Sequence, residues 1–251
     1  MKKNCLLCFL LFFSCHSALA GESLDSLLNV LDKTIKEADT YVQIKENKLH
    51  ELKKEARKTP PFSVERYNLN NDIYLEYKAY SSDSALHYLN ENMLLARQLN
   101  DKERELKIQL ELSYLLSSIG MYMEAADILN SIDRQTLPSS LLGHYYTCYE
   151  HVYFEAGAAQ PRYKMFASRY VKLSHAYRDS MQITLDPSSA TYLWLRETQL
   201  REAGKYDEAL EFSDRRLAES SFGTPQYALV AYQRFRLFEL SLIHISEPTR
   251  P

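Results

Sequence analysis

By residue type and spacing, His144, Glu150 and His151 are the side chains best placed to do chemistry. Two histidines seven residues apart share one face of a helix. Two imidazoles and a carboxylate are the start of a zinc site. Distance argues against it: seven residues at a rise of about 1.5 Å set the rings about 10 Å apart, too far for one ion without further ligands. Solvated or hydrogen-bonded histidines are the expectation, and neither a metal nor a cofactor is assigned. Cys148, near Tyr146 and Tyr149, reads as a small buried apolar residue rather than a nucleophile. The chain has no His-Glu-x-x-His helix, Gly-x-Ser-x-Gly elbow, Walker loop or dinucleotide fingerprint. It therefore reads as a non-enzyme.

The elements that must position these residues are helices. Leu, Glu, Lys, Ala and Arg abound, and only 6 of 251 residues are Gly. With 45% hydrophobic residues the chain can bury a core, so it is not a disordered one. Thirty basic against 33 acidic residues give a net charge of -3, which excludes a basic nucleic-acid-binding surface as the default. Tyrosine is unusually common, at 19 residues.

Both ends are set aside. Lys2 and Lys3, the apolar run Leu6 to Phe13 and Ala18-Leu19-Ala20 form a secretory signal over residues 1–20, cleaved before Gly21. Acylation at Cys15 is the rival, and Phe12-Phe13-Ser14 matches it poorly. Cys5, Cys8 and Cys15 leave with the signal, so an exported chain keeps Cys148 alone and forms no internal disulfide. Residues 240–251, from Leu240 to Pro251, resemble a translated sequencing adapter, which implies that the natural sequence is interrupted near Glu239. A helix over Pro225 to Glu239 would then expose Tyr227, Leu229, Val230, Tyr232, Phe235 and Leu237, which the next helix would otherwise cover.

Between these ends, Leu24, Leu27, Leu28, Leu31, Ile35 and Ala38 follow helical spacing and start a long amphipathic helix over Ser23 to Lys58. Pro60 and Pro61 close this first section, residues 21–61. In the second, residues 62–239, Gly120, Gly157 and Gly204 each fall between two helical stretches, 37 and 47 residues apart. Paired helices recurring at such intervals indicate a solenoid.

Gly120-Met121-Tyr122-Met123-Glu124-Ala125 and Gly204-Lys205-Tyr206-Asp207-Glu208-Ala209 resemble the Gly-x-Tyr-x-x-Ala turn of tetratricopeptide (TPR) repeats. Gly157 begins a divergent unit with Ala167 in the small position, and Asp83-Ser84-Ala85-Leu86 resembles the start of another second helix. The resemblance, over residues 65–239, implies an all-α solenoid of degenerate TPR-like helix pairs behind the long N-terminal helix. The layout is similar to exported Bacteroidota-type proteins with a domain of unknown function. That likeness implies a periplasmic or cell-envelope location and a sensor half, with any membrane anchor in a missing C-terminal part.

The resemblance also carries over the positions that line the groove of the family. They are Lys107, Leu110, Tyr114 and Ser117 before Gly120; His144, Thr147, His151 and Phe154 before Gly157; and Thr191, Trp194, Thr198 and Arg201 before Gly204. Such a strip suits an extended peptide or a partner helix, with Tyr and Trp as rigid anchors and Lys107 or Arg201 facing a carboxylate. The expected function is an exported, non-enzymatic protein- or peptide-binding module with no nucleic-acid partner. The alternatives are an enzyme whose catalytic residues are dispersed or missing, and an oligomeric envelope scaffold joined through the N-terminal helix.

Overall fold

The computed structural model describes residues 36–159, 162–221 and 224–246. The signal over residues 1–20, the acylation alternative at Cys15 and the stripe from Leu24 to Ile35 lie outside them, as do the final residues 247–251 of the tail. Helix α1 (Ala38–Lys58) belongs to a first unit that ends at Lys58. The residue before Pro60 is barred from helical geometry, and α1 stops there.

The second unit, residues 59–251, is an α-solenoid. Its described helices are α2 (Val64–Tyr77), α3 (Ser82–Gln98), α4 (Lys102–Ser118), α5 (Tyr122–Ser131), α6 (Ser139–Ala158), α7 (Lys164–Thr184), α8 (Ala190–Glu202), α9 (Tyr206–Glu219) and α10 (Pro225–Ser246). Each even-numbered helix from α2 to α8 packs on the helix that follows it, and each pair packs on the next. The first helix of a pair is termed A and the second B.

Local chemistry distinguishes the two kinds of helix. Four A helices begin with a side-chain oxygen that accepts the third backbone N–H: Ser63 from Arg66, Asp101 from Arg104, Ser189 from Tyr192 and Thr224 from Tyr227. Each such cap contributes about 1 kcal/mol. The B helices α3, α5, α7 and α9 lack one. Two of them, α5 and α9, follow at once from a reversal in which Gly120 (φ 89°) or Gly204 (φ 72°) takes the left-handed region. The next N–H then returns to a carbonyl five residues back, Met121 to Leu116 and Lys205 to Leu200, each at 2.9 Å. A Cβ on either glycine would meet nothing within 4 Å, so the backbone angle and not the space requires glycine. Asn100 (φ 52°) makes the same reversal from α3 into α4, with Asp101 N–H on the Ala96 carbonyl at 2.9 Å.

The fourth residue of every B helix is alanine: Ala85, Ala125, Ala167 and Ala209. Ala85, Ala125 and Ala209 are fully buried, and Ala167 half so. These methyls let the paired helices approach, and they put all four pairs in one register.

Gly157 departs from expectation. It is not the turn but a buried residue in the last turn of α6, without a positive φ. A Cβ here would stand in ordinary contact with Tyr170, 3.4 Å from its Cβ, so neither angle nor space requires glycine. Gly143, near the other end of α6, is needed for its size: a Cβ there would approach Leu185 to 2.8 Å. Between these two glycines Tyr149, Tyr153 and Tyr177 stack, with Tyr149 and Tyr177 centroids 4.6 Å apart and their planes 3° from parallel. Much of the tyrosine excess thus cements α6 to α7.

Helix α10 does not end at Glu239 but runs on to Ser246. Val230 and Leu237, expected on its open face, are completely buried, whereas Leu229, Tyr232, Phe235 and Phe238 are exposed. Leu229, Tyr232 and Phe235 thus stand exposed as expected and Tyr227 partly so, while Val230 and Leu237 face the core. Among the described residues no helix is long and apolar enough to cross a membrane.

Candidate binding groove

The inner faces of the A helices converge on a concave cavity of about 780 Å³. Helix α6 lines it with His144, Thr147, His151 and Phe154, and α8 with Thr191, Trp194, Thr198 and Arg201. Steps of three and four residues keep each set on one helix face. Both quartets therefore stand where the repeat register puts them.

The register fails on α4. Tyr114 lines the cavity, but Leu110 is completely buried, Ser117 is buried with its hydroxyl on the Tyr114 carbonyl at 2.9 Å, and Lys107 stands exposed outside the lining. The reason is that α6 lies across α4. Leu110 is covered there, and its carbonyl accepts the Cys148 thiol at 3.3 Å. The place on the groove passes to Glu111, one residue on.

Glu111 organises this end. Its Oε2 accepts the Tyr74 hydroxyl at 2.6 Å and the Lys78 ammonium at 2.9 Å, while His144 Nε2 lies 3.6 Å from Oε1. Burial works to raise the Glu111 carboxyl, but Lys78, His144 and the Tyr74 hydroxyl outweigh it and hold it below the usual carboxylate range. Lys78 also lies 4.7 Å from the Tyr114 ring centroid. Tyr114 stacks on His151 with centroids 4.0 Å apart, and His151 Nε2 sits 3.0 Å from Ser118 Oγ. Burial, aided by Lys78, pushes His151 down to about 4, so its imidazole is neutral at pH 7. His144 is lowered by burial too, with Glu111 opposing and Lys78 and Lys107 assisting. The two imidazoles thus have separate partners, and among the described residues no three His, Cys, Asp or Glu side chains gather as metal ligands would.

At the other end two arginines from B helices reach the cavity. Arg178 of α7 donates from Nε to Glu150 Oε1 at 2.8 Å and from Nη1 to Glu202 at 2.8 and 3.0 Å, so it ties α6, α7 and α8 together. Its guanidinium lies 5.8 Å from the Phe154 ring and 6.0 Å from that of Trp194. Ser174 donates to Glu150 at 3.0 Å. Even so, burial raises the Glu150 carboxyl against the pull of Arg178. Arg216 of α9 repeats the device, bonding Glu197 of α8 and, at 2.9 Å, Gln233 of α10. Glu150 and Glu197 each stand seven residues before their glycine. Glu150, Arg178, Glu197 and Arg216 are each at most 4% exposed.

The polar residues that sequence reasoning missed include Lys78, Glu111, Arg178, Arg216 and Gln233. The one local signal for any of them is that paired Glu-to-Gly spacing, an acid in an otherwise apolar stripe. Arg201, by contrast, lines the groove without an ion-pair partner among the described residues.

A family model of the SusR N-terminal TPR domain matches residues 35–241. The comparisons with curated proteins and with solved structures return no match.

Proposed function

The chain belongs to the SusR N-terminal TPR domain family, a type of protein-interaction module, and on that premise we propose that it is the ligand-recognising part of an exported envelope regulator. It works in the periplasm or cell envelope as a sensor, without catalysing a reaction. Its ligand is an extended peptide or protein segment laid along the concave face. The observation that carries this reading is the convergence of the α4, α6, α8 and α10 inner faces on one cavity of about 780 Å³. Tyr114, Phe154 and Trp194 supply rigid contact area, and His144, Thr147, His151 and Thr198 supply hydrogen-bonding groups. Arg201 meets an acidic group of the ligand.

The test is selection of an extended-peptide library on the full chain, followed by titration of the selected peptides. Trp194 is the sole tryptophan, so its fluorescence reports on the groove directly. Saturable signals that Arg201→Glu and Tyr114→Ala weaken by roughly tenfold or more are expected. Peptides bound with the same affinity by both variants would rule the groove out as the ligand site.

One observation favours an enzyme instead: the cavity gathers several titratable groups with displaced pKa values. Their directions weigh against it. Glu111 is held below the carboxylate range with Oε2 taken by Tyr74 and Lys78, and His151 is too weak a base for general-base work near pH 7. The histidine shifts come chiefly from burial, and that of Glu111 from its partners Lys78, His144 and Tyr74.

A further inference from the structure

The outer face of α7 carries a feature the groove does not use. From Ala156 to Arg178 the chain has five cations and no acidic residue, although its overall charge is -3. Arg178 is spent internally, but Arg162, Lys164, Arg169 and Lys172 are exposed, and none has an ion-pair partner among the described residues. Apolar side chains stand among them: Met165 is 76% exposed, Tyr163 63% and Phe166 49%. Positions 165, 169 and 172 share a helix face, and Met165, Arg169 and Lys172 surround one open depression of about 450 Å³.

We propose that this half of α7, with Arg162 just before it, is a docking surface for an anionic lipid bilayer, with Met165 and Phe166 entering the headgroup region and Arg162, Lys164, Arg169 and Lys172 meeting lipid phosphates. Cations flanking protruding apolar groups on one amphipathic helix make the arrangement that settles in a membrane interface. A soluble partner that only neutralised the charges would leave Met165 and Phe166 in water, whereas a bilayer interface takes up both. No described helix spans a membrane, so contact here is peripheral: the helix lies on the surface. Ile183 and Met123 are equally exposed but have no such ring of cations, which is why the surface is placed at this end of α7.

The test uses the full chain carrying Phe166→Trp with Trp194→Phe, so that one indole reports from the patch itself and not from any other membrane-seeking segment. Phosphatidylglycerol vesicles should shift its emission to the blue and expose it to quenching by brominated lipid, whereas phosphatidylcholine vesicles should do neither. Arg169→Glu with Lys172→Glu in that background should weaken partitioning by about fivefold or more for each cation lost. Both positions are exposed, so an unchanged melting temperature would show that the fold is intact. An indole that keeps its aqueous spectrum while the protein sediments with the vesicles would overturn the proposal, as would partitioning indifferent to the charge reversal. A blue shift produced equally by soluble polyglutamate would reassign the surface to an acidic protein.

Discussion

The third pair, α6–α7, and the fourth, α8–α9, solve the same packing problem in opposite ways. In α8–α9 the reversal is tight, Gly204 supplies the left-handed angle, and a small core of Leu200, Ala209 and Leu237 continues into α10. In α6–α7 Gly157 lies inside the last turn of α6 and does not reverse the chain, Gly143 admits Leu185, and stacked tyrosines fill the seam. Yet each B helix sends an arginine to a buried glutamate on its A partner and on to the following A helix. What the two pairs share is therefore the alanine register and the polar clasp, and the turn is free to change.

Removing a clasp should have the largest effect. Arg178→Met leaves Glu150 buried beside Ser174 with its cation gone, which should cost about 3–5 kcal/mol in chemical denaturation. Adding Glu150→Gln should recover much of it. Arg216→Met should behave likewise if the clasps are equivalent; a loss confined to one of them would break the parallel.

A smaller effect separates the pairs by acid, because α6 carries His144 and His151 where α8 carries Thr191 and Thr198. Both histidines have folded pKa values below the unfolded one, so the unfolded chain takes up the proton first. The stability they contribute is complete above about pH 6.5 and is lost as pH falls toward 4. A loss of about 1–2 kcal/mol between pH 7 and pH 5 is expected from His151, after allowance for its partial exposure. His151→Gln should flatten that slope, as read from melting temperature against pH.

The smallest effect is the sharpest comparison. Gly204→Ala, at a positive φ, should destabilise by about 1 kcal/mol. Gly157→Ala, in helical geometry with its nearest neighbour at 3.4 Å, should be neutral or slightly stabilising, because alanine favours helix by about 1 kcal/mol. Equal losses would mean that Gly157 has a turn role after all.

How much of this was legible in the sequence follows from how local each signal is. The reversals at Gly120 and Gly204 and the alanines behind them are written in spacings of a few residues, whereas the positions of α6 and α8 that line the cavity came only with the TPR resemblance. Asn100 escaped notice because a left-handed asparagine looks like any other polar residue. Gly157 was misplaced because spacing does not distinguish a glycine needed for its angle from one that lies inside a helix. Glu111 was passed over in favour of Leu110 because the crossing of α6 over α4 is a tertiary fact. Lys78, Arg178 and Arg216 reach the cavity from outside the inner faces, by routes that no single-helix pattern encodes.

Cys148 has a practical consequence. Among the described residues it is the one cysteine, completely buried under Leu110, and burial pushes its thiol far from ionisation. A maleimide or iodoacetamide can reach that sulfur only when α4 and α6 part, so alkylation measures how often the stack breathes at its middle. Ligand that closes the groove should slow this clock, and a lesion elsewhere that leaves its rate unchanged did not loosen the centre.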